Sequence, residues 1–207
     1  MPVIKKLSIR AAAGAVAALV LCLLPGCRYG PVPIQDVKTS RTLTPFSFIE
    51  EGRLVVLIVG VEAARYREDA EFVPLVVAVG NKRVRPALRL SRESFYLVDS
   101  EGNRIEMASY EEILARYPHM EMDRRLLGDR GFIPSKFDVY MRIPAKFFPM
   151  PGRVGVVQDR VEIPTLGYME NVLYFPMPAG GLKGRHFDLF LDCPPLEDPV
   201  FVTFEIR

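Results

Sequence analysis

Two histidines, three cysteines and one dense run of basic side chains are the residues of this 207-residue chain with the most chemical reach. His119 follows Pro118, and His186 opens an apolar stretch that carries Leu189 and Phe190. Either imidazole could act as a general base, but a Ser-His-Asp triad also needs an orienting carboxylate and a nucleophile gathered in space. Serines and aspartates are scattered along the chain, and no Gly-x-Ser-x-Gly elbow singles one out. The plainer reading, surface or structural histidines, carries more weight. No phosphate-cradling loop and no paired-carboxylate motif is present either, so the sequence assigns no catalytic residue, no cofactor and no metal.

The cysteines read differently. Lys5, Lys6 and Arg10 precede an apolar run from Ala11 to Leu24, which ends in Leu24-Pro25-Gly26-Cys27. A positive start, an apolar stretch and small residues before a cut point make a secretory leader. The run is too short to cross about 30 Å of hydrocarbon as a helix, which takes about 20 residues. No Ala-x-Ala site lies near Cys27. Leu24 to Cys27 resembles the lipobox of bacterial lipoproteins, with Pro25 where that family usually has Ala or Ser. The resemblance implies cleavage before Cys27, a lipid on its sulfur and a membrane-attached mature protein. Residue 28 is Arg rather than Asp, which by the same resemblance implies the outer membrane, facing the periplasm. The expected organisation is a signal peptide over 1–26, lipidated Cys27 with a flexible tether over 27–45, and a folded domain over 46–207.

Charge and cysteine usage then bound the function. Removal of Lys5, Lys6 and Arg10 leaves 24 basic and 25 acidic side chains, a near-neutral body with no electrostatic reason to bind nucleic acid. Cys22 leaves with the leader and Cys27 takes the lipid, so only Cys193 remains. An internal disulfide and a cysteine-histidine zinc site are both disfavoured. Cys193 precedes Pro194-Pro195 and reads as a small packed apolar side chain rather than a reactive thiol.

Two stretches are candidate partner contacts. Lys82, Arg83, Arg85, Arg89 and Arg92 are the densest basic run. Guanidinium groups fork onto phosphate and carboxylate oxygens, so the run suits lipid phosphates or an acidic partner, against the common alternative of a solvated loop and strand face. Phe147-Phe148-Pro149-Met150-Pro151 is an apolar loop that either docks a partner or folds back to plug one end of the domain.

The elements that must position these residues are mostly strands. Leu54 to Val59 and Phe72 to Val79 are β-branched apolar runs; Pro74 requires an edge or a strand start in the second. Ala87 to Leu90, Ser94 to Val98 and Arg104 to Met107 follow, the last two joined as a hairpin through Asp99 to Asn103 with Gly102 in the turn. Ser109 and Glu112 form a capping box that predicts a helix ended by Pro118, and a short helix is expected over 123–127. Strands are expected over 137–143, 153–157 and 171–175, then near Arg185 to Leu191. Val200 to Arg207 alternates, with Val202 and Phe204 on the core face. This order suggests a mainly β protein, an antiparallel β-sandwich with a short helical insertion. Leu54 to Met107 resembles immunoglobulin-like domains of uncharacterised bacterial lipoproteins. The functional expectation is a non-enzymatic binding or structural adaptor with an envelope protein partner. Its alternatives are an enzyme acting on an envelope polymer and a small-ligand or lipid carrier with an apolar cavity.

Overall fold

Strands rich in valine at every position, rather than at alternate ones, must be covered on both faces, and that is how the centre of this molecule is built. A computed structural model describes residues 39–128, 135–148 and 157–207; for 126–128 only the backbone is described. The leader, Cys27, most of the strand expected over 153–157 and Pro149 to Pro151 lie outside the described residues.

Six strands form the large sheet in the order β1-β2-β3-β4-β10-β8. They are β1 (Arg41–Thr44), β2 (Ser47–Glu51), β3 (Val55–Gly60), β4 (Phe72–Asn81), β10 (Gly167–Pro176) and β8 (Met141–Arg142). All neighbours are antiparallel except β8, which runs parallel to β10. A second sheet has the order β12-β11-β6-β7: β12 (Val200–Glu205), β11 (His186–Leu191), β6 (Phe95–Asp99) and β7 (Arg104–Glu106). A two-stranded antiparallel ribbon joins β5 (Leu88–Ser91) to β9 (Arg160–Ile163). The described residues thus form a mainly β fold of several antiparallel sheets, of sandwich type, and belong to one compact unit of the chain.

The register fixes the layers. Phe48, Val59 and Val77 are partners across β2, β3 and β4 and share one face. That face meets the second sheet: β12 packs on β2 and β3, and the Phe48 and Phe204 rings lie 6.3 Å apart. Ile58, Ala78 and Gly80 share the opposite face with Tyr168. There Phe137 stacks on Tyr168 at 4.6 Å and lies over Gly80, where an added Cβ would come 2.4 Å from the ring. Helix α1 (Tyr110–Arg116) and helix α2 (Met120–Gly128) cover the far part of this face, with Tyr117 edge-on to Phe72 and Tyr174. Serine and glutamate close the capping box of α1 as the sequence predicts.

Pro74 sits where the sequence requires. The last β3 partner on β4 is Val76, so residues 72–75 pair only with β10 and a missing N–H breaks no second ladder. The hairpin turn holds Gly102 at φ 84°. In β12, Val202 and Phe204 are buried and Phe201 exposed, as the alternation requires, and Arg207 beyond the strand is exposed too; Thr203, on the outer face, is buried as well.

Four expectations are corrected. Residues 41–44, assigned to the tether, form β1 and pair with β2, so ordered structure begins before Phe46. The strand expected over 137–143 shrinks to Met141–Arg142 because Phe137 is used as a packing ring and residues 138–140 turn. The second helix spans Met120–Gly128 rather than 123–127. Phe147 and Phe148, candidate partner contacts, are 0% and 1% exposed; Phe147 meets Phe95 and Phe148 meets Tyr174, so both rings belong to the core.

Candidate binding surfaces

The chain leaves β3 at one end of the large sheet, makes a 3-10 turn at Ala64–Tyr66, and re-enters at Phe72. Arg67 closes that turn. Its Nη2 donates to Asp123 Oδ1 at 2.7 Å, its Nε to the Tyr117 hydroxyl at 3.2 Å and its Nη1 to the Tyr66 carbonyl at 3.0 Å. Tyr117 donates in turn to the other oxygen of Asp123. Tyr117 is the C-cap of α1, ahead of Pro118, and Asp123 lies in the first turn of α2, so the break between the helices brings the two together.

Asp123 is fully buried. Burial pushes its carboxyl above the usual carboxylate range, opposed by the Tyr117 hydroxyl and by Arg67. Burial pulls the Arg67 guanidinium downward, but the charge of Asp123, the Tyr117 hydroxyl and the bond to Asp123 together outweigh it and displace Arg67 upward. The two shifts pull in opposite senses on the question of an ion pair. Geometry decides for the ionised pair: two donors converge on the carboxylate, one of them a guanidinium that keeps its proton. Burial, followed by the bond to Asp123, drives the Tyr117 hydroxyl far above its ordinary value. Tyr174 shifts the same way, first by burial and then by Asp123 and Tyr117, and its hydroxyl has no hydrogen-bond partner among the described residues. Both phenols stay protonated at neutral pH, so the network is a rigid support rather than a proton relay.

A cleft of about 400 Å³ opens over this support, lined by residues 65–70 and His119. Tyr66 stands on its rim at 65% exposure. Arg65 is fixed by a 2.8 Å bond to the Arg207 carbonyl and lies 4.3 Å over the Phe46 ring, while Glu68 faces Lys183 at 3.6 Å. The lining holds an imidazole, guanidinium groups and carboxylates but no serine, threonine or cysteine nucleophile. It offers an exposed aromatic beside fixed charges.

The basic run divides. Lys82 donates to the Gly52 carbonyl at 3.1 Å and lies 3.6 Å from Glu51. Arg89 meets Glu162 at 3.5 Å across the ribbon. Arg92 turns inward to the Ala108 and Met107 carbonyls and lies over the Phe148 ring. Arg83 and Arg85 are exposed and make no ion pair among the described residues. His186 is paired across strands with Glu205, far in sequence from the cleft. Cys193 is buried and free, its thiol pushed up to about 12 by burial and by Asp192. Among the described residues no cluster of three His, Cys, Asp or Glu side chains could hold a metal, and no helix is long and apolar enough to cross a membrane.

No protein-family model, no curated protein and no solved structure matches the chain. Tyr66 and Arg67 in the cleft and Asp123 beneath it carry no motif; the only signal for them in the sequence is the Pro118 break that closes α1 beside His119.

Proposed function

We propose that the protein is a lipid-anchored envelope lipoprotein, held at Cys27 and acting as a non-enzymatic adaptor through an immunoglobulin-like sandwich. The leader and the lipobox resemblance support the anchor. The observation that carries the adaptor reading is the cleft: Tyr66 stands exposed on a turn braced by the buried Arg67–Asp123 pair, with no nucleophile in the lining. A partner protein meets an exposed aromatic on a braced turn, ringed by charge, and tyrosine and arginine are enriched at interface hot spots. The outer membrane is the proposed site, following from Arg28 at the position after the lipidated cysteine.

Two measurements test this. Labelled palmitate enters the parent and not a Cys27→Ser chain. A photo-crosslinking residue in place of Tyr66 captures a discrete envelope protein from intact cells, and the same probe in place of Leu114, exposed on α1, captures it less. No protein adduct at Tyr66, together with turnover of an envelope polymer that requires His119, makes the protein an enzyme instead.

A further inference from the structure

The opposite end of the large sheet is built differently. By register, the end of β2, the start of β3, the end of β4 and the start of β10 all lie there, with β8 beside them. Main-chain bonds lock the loops of this end into one surface: Lys82 N–H donates to the Leu54 carbonyl, Leu166 N–H to Asn81, and Met141 N–H to Leu166, each at 2.8 Å. The Asn81 side chain adds bonds to the Val84 and Ile163 carbonyls.

Among the described residues, four of the eight exposed large apolar side chains sit on this surface: Leu54, Val139, Met141 and Leu166, at 44%, 73%, 59% and 50% exposure. Leu166 is held at φ 58°, a conformation uncommon for any residue but glycine, so its side chain is aimed outward at a local cost. Around these apolar groups, residues 51–54, 82–86, 136–142 and 164–166 contribute six cationic side chains and two carboxylates. Glu51 is shared by Lys82, Lys136 and Arg41, whereas Arg53, Arg83 and Arg85 have no acidic partner among the described residues. The entry of the chain points the same way. Arg41 opposes Ile49 and contacts Glu51, so β1 begins at this end. The chain between Cys27 and Thr39 reaches at most about 40 Å.

We infer that this end docks on an anionic lipid surface, with Leu54, Val139, Met141 and Leu166 entering the interface and Arg53, Arg83 and Arg85 meeting lipid phosphates. Apolar side chains set among unpaired cations suit a surface that is apolar just beneath a layer of negative charge. The inference rests on the lipid-anchor reading for its direction of approach, and it adds that the domain lies down on the membrane instead of swinging on its tether. It also places the cleft at the far end of β4, about 30 Å away by the rise of ten strand residues.

The chain contains no tryptophan, so a single introduced indole is an unambiguous reporter. The full chain carrying Met141→Trp is purified from membranes and reconstituted into vesicles of phosphatidylcholine with one-third phosphatidylglycerol and brominated acyl chains. A second chain carries Phe201→Trp, an exposed site on the other sheet. The expected result is a shift to shorter wavelength and a several-fold greater loss of emission at 141 than at 201. That loss diminishes near 1 M salt, where screening acts within about 3 Å, and in an Arg83→Glu/Arg85→Glu background. Equal quenching at the two positions, or quenching at 141 indifferent to charge reversal, overturns the inference. Palmitate incorporation in the same preparations reads the anchor separately: a palmitoylated chain with an unquenched indole at 141 removes the docking end and leaves the anchor standing.

Discussion

Tyr117 and Tyr174 are neighbouring buried phenols, ring centres 5.2 Å apart, that differ in what their hydroxyls touch. Tyr117 links Asp123 to Arg67; the Tyr174 hydroxyl meets no partner among the described residues. Removing a bonded hydroxyl costs about 1–3 kcal/mol where it leaves buried partners unpaired, whereas removing an orphan costs nothing. Urea denaturation is therefore expected to show Tyr117→Phe destabilised and Tyr174→Phe neutral or slightly stabilised. Asp123→Ala is more severe, about 3–5 kcal/mol, because it strands a nearly buried guanidinium. Asp99 supplies the pH dependence. Burial raises its carboxyl, but bonds from the Asn103 side chain and from the Asn103 and Glu101 N–H groups, together with Arg185, outweigh it and hold the pKa below the usual range. A depressed folded pKa gives stability that is present above the unfolded value of about 3.9 and is lost as pH falls through the folded one. The urea midpoint of the parent is expected to fall through this acidic window, and Asp99→Asn to lack that part of the slope.

At the scale of elements, β12 and the Gly80–Phe137 contact give the sharpest contrasts. Phe204 is 1% exposed between Phe48 and Phe187, while Glu205 is only partly buried. Phe204→Asp is expected to abolish folding, since an unpaired buried carboxylate costs several kcal/mol, and Glu205→Ala to leave the thermal midpoint nearly unchanged. Gly80→Ala forces a methyl group into a ring clamped against Tyr168, an overpacking cost of about 1–3 kcal/mol that Phe137→Leu in the same chain is expected to relieve. These elements also show what a sequence discloses. Strands β3 and β4, the Gly102 hairpin and α1 are legible because local chemistry alone specifies them: a valine run, a glycine turn, a capping box. Strand β1 is hidden because Arg41-Thr-Leu-Thr gains its order from pairing with β2 and not from burial of its own. Strand β9 is hidden because Arg160-Val-Glu-Ile is short and half exposed. The basic run is visible as composition, but only the fold separates Lys82 and Arg89, which meet carboxylates, and Arg92, which turns inward to carbonyls, from Arg83 and Arg85, which make no ion pair among the described residues. The cleft is invisible beforehand, since Arg67 and Asp123 are 56 residues apart in sequence.

At the scale of the molecule, the sandwich is filled. Aromatic rings of Phe95, Phe147, Phe187 and Phe204 occupy the space between layers, and Cys193 is the only cysteine among the described residues. Melting of the whole protein is accordingly expected to be unmoved by reductant or chelator, read by circular dichroism. The two ends of the large sheet differ in kind, one polar and clefted, the other apolar and cationic. At the second of these ends Ser40 fastens the start of β1. Its N–H donates to the Thr203 carbonyl at 2.9 Å, and its hydroxyl accepts the Thr203 N–H at 3.1 Å, just before the chain crosses to pair with β2. A pull on the start of β1, along the strand and away from the opposite end of the sheet, would load this strand first. It would meet the β1–β2 ladder in shear, with its bonds strained together rather than peeled one after another, and Ser40 would pass part of the force into the second sheet. Strand β1 is joined to the rest of the domain as a lap joint is riveted, along its length and with a cross-tie at Ser40.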